Sequence, residues 1–216
     1  MRPPTAGVSP PPPYRIETER LIVRCWEPRD AALLKEATDE SIEHLRPWMP
    51  WAHHEPQSLD EKVELLRRFR GWFDLGENFV YGIFSRDEAR VLGGSGLHAN
   101  VGEAALEIGY WLRASETGNG YMTEAVAAIT QAAFARCGID RLEIRVDPEN
   151  QASLSVPRRL GFVEEATLRR RQLPLTEGAE RRDAVVFTML VEELPGSPAA
   201  RVAFSAFDAA GRPLTP

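Results

Sequence analysis

Residues 106 to 134, LEIGYWLRASETGNGYMTEAVAAITQAAF, change from strand period to helix period across a turn that carries two glycines. Leu106, Ile108, Tyr110 and Leu112 alternate with Glu107, Gly109, Trp111 and Arg113, the period of a half-buried strand. Met122, Ala125, Val126, Ile129 and Ala133 then fall at helical spacing. Between them, Thr117-Gly118-Asn119-Gly120 frees backbone N–H groups where a helix begins and its dipole favours an anion. The same glycines also read as a plain turn, and they fit neither common nucleotide motif. Thr123 stands where a dinucleotide fingerprint needs a third small residue, and no G-x-x-x-x-G-K-[ST] occurs.

The flanking elements decide the fold class. Glu17 to Trp26 reads as a strand, and Asp30 as the cap of a short helix through Ala37. Ser58 and Glu61 form a capping box for a helix whose buried stripe is Leu59, Val63, Leu66, Phe69 and Phe73, stopped by Gly76. Phe79 to Ser85, Val91 to His98 and Ala104 to Arg113 make an antiparallel meander, and Arg141 to Asp147 is a further strand. The strand–helix–strand crossover makes the two strands beside it parallel. Asn150 to Gly161 predicts a short helix, and Phe162 to Leu173 with Asp183 to Val191 a closing hairpin. The expectation is an α+β fold on a mixed, mostly antiparallel sheet.

A chain of 216 residues suits one core with tails. Residues 1–13 hold too little apolar side chain to offset ordering and are expected as a disordered proline-rich arm; 14–194 form the domain and 195–216 a C-terminal tail, where Val202, Phe204 and Phe207 can dock a strand. A net charge of −6 argues against nucleic acid, and Arg169-Arg170-Arg171 reads as a solvated face. No apolar run has the length of a membrane span and no signal peptide is present, so a cytoplasmic protein without a membrane partner is expected. Cys25 and Cys137 stand alone, and His53-His54 lack further ligands, so no disulfide or metal site is expected. The stretch Leu45 to Trp51, with Trp48 and Trp51, either packs on the core or lines a substrate pocket.

Three pieces in order, Glu107-Ile108-Gly109-Tyr110-Trp111-Leu112, then Gly118-Asn119-Gly120-Tyr121-Met122-Thr123-Glu124-Ala125, then Asn150 to Phe162 read as N-x-x-S…L-G-F, resemble the GNAT superfamily of acyl-CoA N-acyltransferases. Within it the chain resembles the RimJ/RimL-type enzymes that acetylate ribosomal-protein N-termini, and Leu45 to Trp51 is similar to a tryptophan-bearing segment of that subgroup. The resemblance implies helices on both sheet faces and a sheet splayed between its fourth and fifth strands, with the pantetheine arm of acetyl-CoA in the gap. It implies pyrophosphate on Thr117, Gly118, Asn119, Gly120 and Tyr121, pantetheine on the backbone at Trp111, Leu112 and Arg113, and coenzyme contacts from Met122, Asn150 and Ser153. Two positions depart from the pattern: Ser115 replaces a glutamine or arginine, and Pro157 replaces a tyrosine that protonates the leaving thiolate.

Acetyl transfer from a thioester to an amine needs a neutral amine, a stabilised oxyanion and a proton for the thiolate. An α-amine, with a pKa of about 7.7 to 8, is neutralised more easily than a lysine at about 10.4. Glu107 matches a catalytic glutamate of the family and is the candidate general base; a carboxylate paired to an arginine is the alternative. His98 is the rival base. Ser153 matches the serine that serves RimL-type enzymes as donor to the sulfur, and the backbone N–H groups from Ile108 to Tyr110 suit the oxyanion. The acceptor expected is a protein N-terminus, with Trp48 and Trp51 shaping its pocket; a small-molecule amine, or a non-catalytic acyl-CoA sensor, is the alternative. Whether two chains pair as a homodimer stays open.

Overall fold

The computed structural model describes residues 10–215. The glycine-bearing turn lies between strand β5 (Ala105–Leu112) and helix α3 (Tyr121–Arg136), and β6 (Arg141–Val146) follows. Ahead of them come β1 (Arg15–Glu17), β2 (Leu21–Cys25), α1 (Ala31–Leu45), α2 (Leu59–Asp74), β3 (Phe79–Ser85) and β4 (Val91–His98). Behind them come α4 (Gln151–Leu160), β7 (Val163–Gln172), β8 (Arg182–Leu190), β9 (Ser205–Phe207) and β10 (Pro213–Leu214). Among the described residues the strands form one sheet in the order β10-β9-β1-β2-β3-β4-β5-β6-β8-β7. Only β5 and β6 run parallel, as a crossover through α3 requires.

Alternation along the strands sorts the core into two layers. Leu21, Val23, Tyr81, Ile83, Leu106 and Ile108 face the side on which α3 and α4 pack, where Ala125, Val126, Ile129 and Leu154 are buried. Ile22, Phe84 and Val91 face the other side, with Trp26, Leu34 and Leu66 under α1 and α2. Helices thus cover both faces, as expected.

Several local expectations are corrected. The first strand is two, because Thr18 turns the chain between β1 and β2, its hydroxyl accepting from Leu21 N at 3.1 Å. Asp30 does not cap α1. Its carboxylate takes a bidentate pair from buried Arg24, at 2.7 and 2.9 Å, and the helix runs on to Leu45. Ser58 and Glu61 form their capping box, but Leu59 is exposed and Lys62 takes its place on the buried side. The arm expected over residues 1–13 ends earlier than its composition suggests: Pro12 and Pro13 are buried, and Pro13 O accepts the Tyr81 hydroxyl at 2.8 Å. The rest of that arm, residues 1–9, lies outside the described residues. The C-terminal segment joins the sheet, with Arg15, Ile16 and Glu17 facing Phe207, Ala206 and Ser205, and so covers an edge that would otherwise stay unpaired. Arg169, Arg170 and Arg171 are exposed.

Candidate active site

The parallel ladder is short. Ala105, Leu106 and Glu107 pair with Arg141, Leu142 and Glu143, and then β5 and β6 part although both continue. These are the fifth and sixth strands because the first one divides; the opening lies between the strands of Glu107 and Leu142, where the splay was expected. On its other edge β5 stays paired with β4, and Arg113 N donates to Leu92 O at 2.8 Å. Antiparallel alternation then turns the backbone groups of Trp111, Gly109 and Glu107 toward β4. The C=O of Ile108 and the backbone groups of Tyr110 and Leu112 face the opening past the last parallel pair, where no strand meets them, while the Ile108 N–H closes the ladder to Glu143. The backbone of Trp111 and Arg113 is thus already engaged by β4, and of the three residues expected at pantetheine only Leu112 turns its backbone to the opening.

The N-termini of α3 and α4 stand where the two strands end. Past Leu112 the chain enters the glycine turn, where Gly118 and Gly120 adopt φ of +81° and +78°, values a side chain rarely takes. No side chain caps α3, and the N–H groups of Gly118, Asn119, Gly120 and Tyr121 meet no acceptor among the described residues. Thr117 and Met122 flank that row, Met122 buried and Thr117 tied by its hydroxyl to Ala114 O at 3.0 Å. Past Val146, Asn150 caps α4 by accepting from Ser153 N at 3.0 Å. Pro157 sits inside α4 at a buried position, and Val156 stays helical despite it. Arg113 is buried and holds Glu36 at 2.7 Å and Glu40; that guanidinium, helped by Ser115, lowers the Glu40 carboxyl to about 2.

On the α1/α2 face a cleft of about 770 Å³ opens beside the gap. Glu107, His98, Ser153, Asn150, Trp48, Trp51 and Trp111 all line it, whereas Leu112, Arg113 and residues 117–122 do not. The two tryptophans of the Leu45–Trp51 stretch are pocket walls, and Trp51 meets Trp111 edge to face with ring centroids 5.7 Å apart. Glu107 and His98, the rival bases, are direct cross-strand partners in β4 and β5. Burial raises the Glu107 carboxyl above its ordinary value, against the pull of Arg145 (3.9 Å) and Asn100. Burial lowers the His98 imidazole and so favours its neutral form. Its Nδ1 donates to Asn78 Oδ1 at 2.7 Å, leaving Nε2 as the accepting nitrogen.

Tyr110 reaches across the gap to α4. Its hydroxyl donates to Ser153 O at 3.0 Å and accepts from Ser153 Oγ at 3.2 Å, and burial raises the phenol well above its ordinary value. Sequence reasoning missed this contact, for which no local pattern exists. It also missed the cleft floor, where a Cβ on Gly94 would lie 2.5 Å from Trp111 Nε1 and one on Gly96 would lie 2.6 Å from His98 Nε2. Glycines inside a strand are the signal for such close approach.

The pattern of the family described as "Acetyltransferase (GNAT) domain" matches residues 20–163, which span the opening, the turn and α4. The chain belongs to the GNAT acetyltransferases. This GNAT enzyme, an acetyl-CoA-dependent N-acetyltransferase, is 29% identical over 160 residues to the [ribosomal protein uS5]-alanine N-acetyltransferase of Escherichia coli K12, covering 71% of this chain and 80% of that one. Among solved structures it is similar to Mycobacterium smegmatis RimJ in complex with CoA-disulfide, with a TM-score of 0.76 and 26% identity over 91% of this chain and 95% of that one. RimL, the ribosomal L7/L12 α-N-protein acetyltransferase in complex with coenzyme A, shares the fold at a TM-score of 0.71 and 22% identity, covering 80% of this chain and 95% of that one. Among the described residues no helix is long and apolar enough to cross a membrane, and no cluster of metal-ligating side chains occurs.

Proposed function

We propose that this GNAT enzyme acetylates the N-terminal α-amine of a protein, a ribosomal protein being the first class to test. The observation that carries the reading is the meeting of a strand-edge opening with a separate, tryptophan-walled cleft at Glu107 and His98. The pantetheine amides of acetyl-CoA suit the unpaired edge at Ile108, Tyr110 and Leu112, and its diphosphate suits the N–H groups of residues 118–121. With Ser115 in the turn the backbone carries that contact. The acceptor enters through the cleft between Trp48, Trp51 and Trp111. Two relatives whose names state ribosomal-protein substrates support this acceptor class.

The proton steps follow from the side chains. Glu107, its carboxyl raised by burial, takes the proton of the α-ammonium, and the neutral amine attacks the thioester carbonyl. His98 Nε2 accepts a hydrogen bond from the amine and aims its lone pair. The N–H group of Tyr110, aimed into the opening, suits the charge that develops on the carbonyl oxygen. When the C–S bond breaks, the Ser153 hydroxyl turns its single proton from Tyr110 Oη to the sulfur. A thiolate with a pKa near 8.5 asks little of that donor.

Mass spectrometry of products from a panel of N-terminal peptides and free small amines, with acetyl-CoA as donor, tests the proposal. Acetylated α-amines on peptides are expected. Turnover of free amines alone would replace the acceptor class, and binding of acetyl-CoA without turnover of any amine would favour a sensor.

A further inference from the structure

The acceptor cleft is far larger than an N-terminal amine with a small side chain requires. Beyond Glu107 and His98 it continues under α1 and α2, between Trp26, Leu65, Phe69 and Trp111. Its polar wall is unusual for such an apolar space. Lys62 is 1% exposed and forms an ion pair with buried Glu55, and both line the cleft. Glu55 Oε2 also accepts from Gln57 N at 3.0 Å. The Lys62 ammonium has three N–H donors and one acceptor among the described residues, Glu55. Gln57 Oε1, also at the cleft, is buried without a hydrogen-bond partner. A spare donor and a spare acceptor thus line the same apolar space, and buried polar groups of this kind are normally satisfied.

The charge balance narrows what satisfies them. Glu55 and Lys62 neutralise one another, so a charged group placed there finds no counter-ion and is costly to desolvate. A neutral group that both accepts and donates fits: it takes a hydrogen bond from Lys62 and gives one to Gln57 Oε1. The aromatic walls favour a flat apolar body between that group and the amine. We propose that the acceptor carries, close to its amine, a bulky apolar side chain ended by a neutral hydroxyl or amide, and that Glu55, Lys62 and Gln57 read that end. The proposal rests on the reading of this cleft as the acceptor site.

The test uses the full chain with acetyl-CoA and two series of acceptors. In N-terminal peptides, residue 1 or residue 2 is Gly, Phe, Tyr or Glu; the free amines are ethylamine, phenethylamine and tyramine. The expected kcat/KM order is tyrosine-like above phenylalanine-like by about tenfold, phenylalanine-like above glycine-like by about tenfold to a hundredfold, and Glu lowest. In Gln57→Leu the ratio of tyrosine-like to phenylalanine-like acceptor is expected to fall toward one. Calorimetry of the same acceptors on CoA-saturated protein supplies the ranking for any series that is not turned over. Turnover of free amines alone, in the expected order, would sink the N-terminal reading and support this one. Equal kcat/KM across a series, a preference for Gly or Glu, or a tyrosine ratio that survives Gln57→Leu would overturn the proposal.

Discussion

His98 and Glu107 stand directly opposite one another in the β4–β5 ladder, at the last position where β5 still pairs with β6. Direct cross-strand partners have Cα atoms about 5.5 Å apart when they exchange backbone hydrogen bonds, so one amine can meet both side chains. Burial shifts the two groups toward each other: Glu107 upward from the carboxylate range, His98 downward from the imidazole range. The two shifts draw a carboxylate and an imidazole toward one another, so a pH profile of the unaltered enzyme does not by itself separate them.

Substitution does separate them. Glu107→Gln is expected to lower kcat by about a hundredfold or more and to remove the acidic limb of the pH–kcat profile, because the group lost when it protonates is then gone. His98→Ala is expected to act mainly on the acceptor KM while the limb persists. The reverse pattern would exchange the roles; no change in either profile would leave an ordered water as base.

Stability carries the same two shifts with opposite signs. His98 has a folded pKa below its unfolded value, so the unfolded chain binds more protons just below pH 6.5 and stability falls as pH drops through that window. Glu107 has a folded pKa above its unfolded value, so its contribution falls as pH rises from about 4.5 through the folded pKa. In urea titrations between pH 4 and 8, the acid-side loss is expected to diminish in His98→Ala, and the loss on raising the pH to diminish in Glu107→Gln.

The buried pair in the cleft wall is expected to dominate local stability. Lys62→Met leaves Glu55 buried without its cation, which costs about 3 to 5 kcal/mol in urea titration. The double variant Glu55→Gln with Lys62→Met removes both charges and is expected to recover part of that loss. Equal stabilities of wild type and Lys62→Met would mean that Glu55 finds other partners.

Gly94 sets the width of the cleft floor. Gly94→Ala places a Cβ against the Trp111 indole and is expected to displace that wall, raising the acceptor KM severalfold at a cost of about 1 to 3 kcal/mol. The Kd of CoA, for which the opposite edge of β5 is the proposed site, is expected to stay within about twofold. A changed CoA affinity with an unchanged acceptor KM would contradict this division of the site.

Where chemistry is local, the sequence was a good guide. The Ser58 capping box, the glycine at φ +86° that ends α4, and the β3–β4–β5 meander each follow from patterns a few residues long. The splayed strands came from the family resemblance, and the parallel pair from the length of the crossover. What escaped depends on distant partners. Asp30 looks like a helix cap until Arg24 folds against it, and Lys62 looks solvated until Glu55 arrives from the chain ahead of α2. Pro13 is held by Tyr81, and Tyr110 finds Ser153 on a helix that begins beyond β6. Periodicity carries no trace of these pairings.

The central claim is that the β5 edge beyond Glu107 receives acetyl-CoA while the turn ahead of α3 holds its diphosphate. Amide hydrogen exchange resolved by residue, with and without saturating CoA, tests it most directly. Slowed exchange at Tyr110 and Leu112 and at residues 118–121, with Trp111 and Gly109 unchanged because β4 already holds them, is the predicted result. CoA binding that leaves Tyr110, Leu112 and the turn exchanging as fast as before would contradict it.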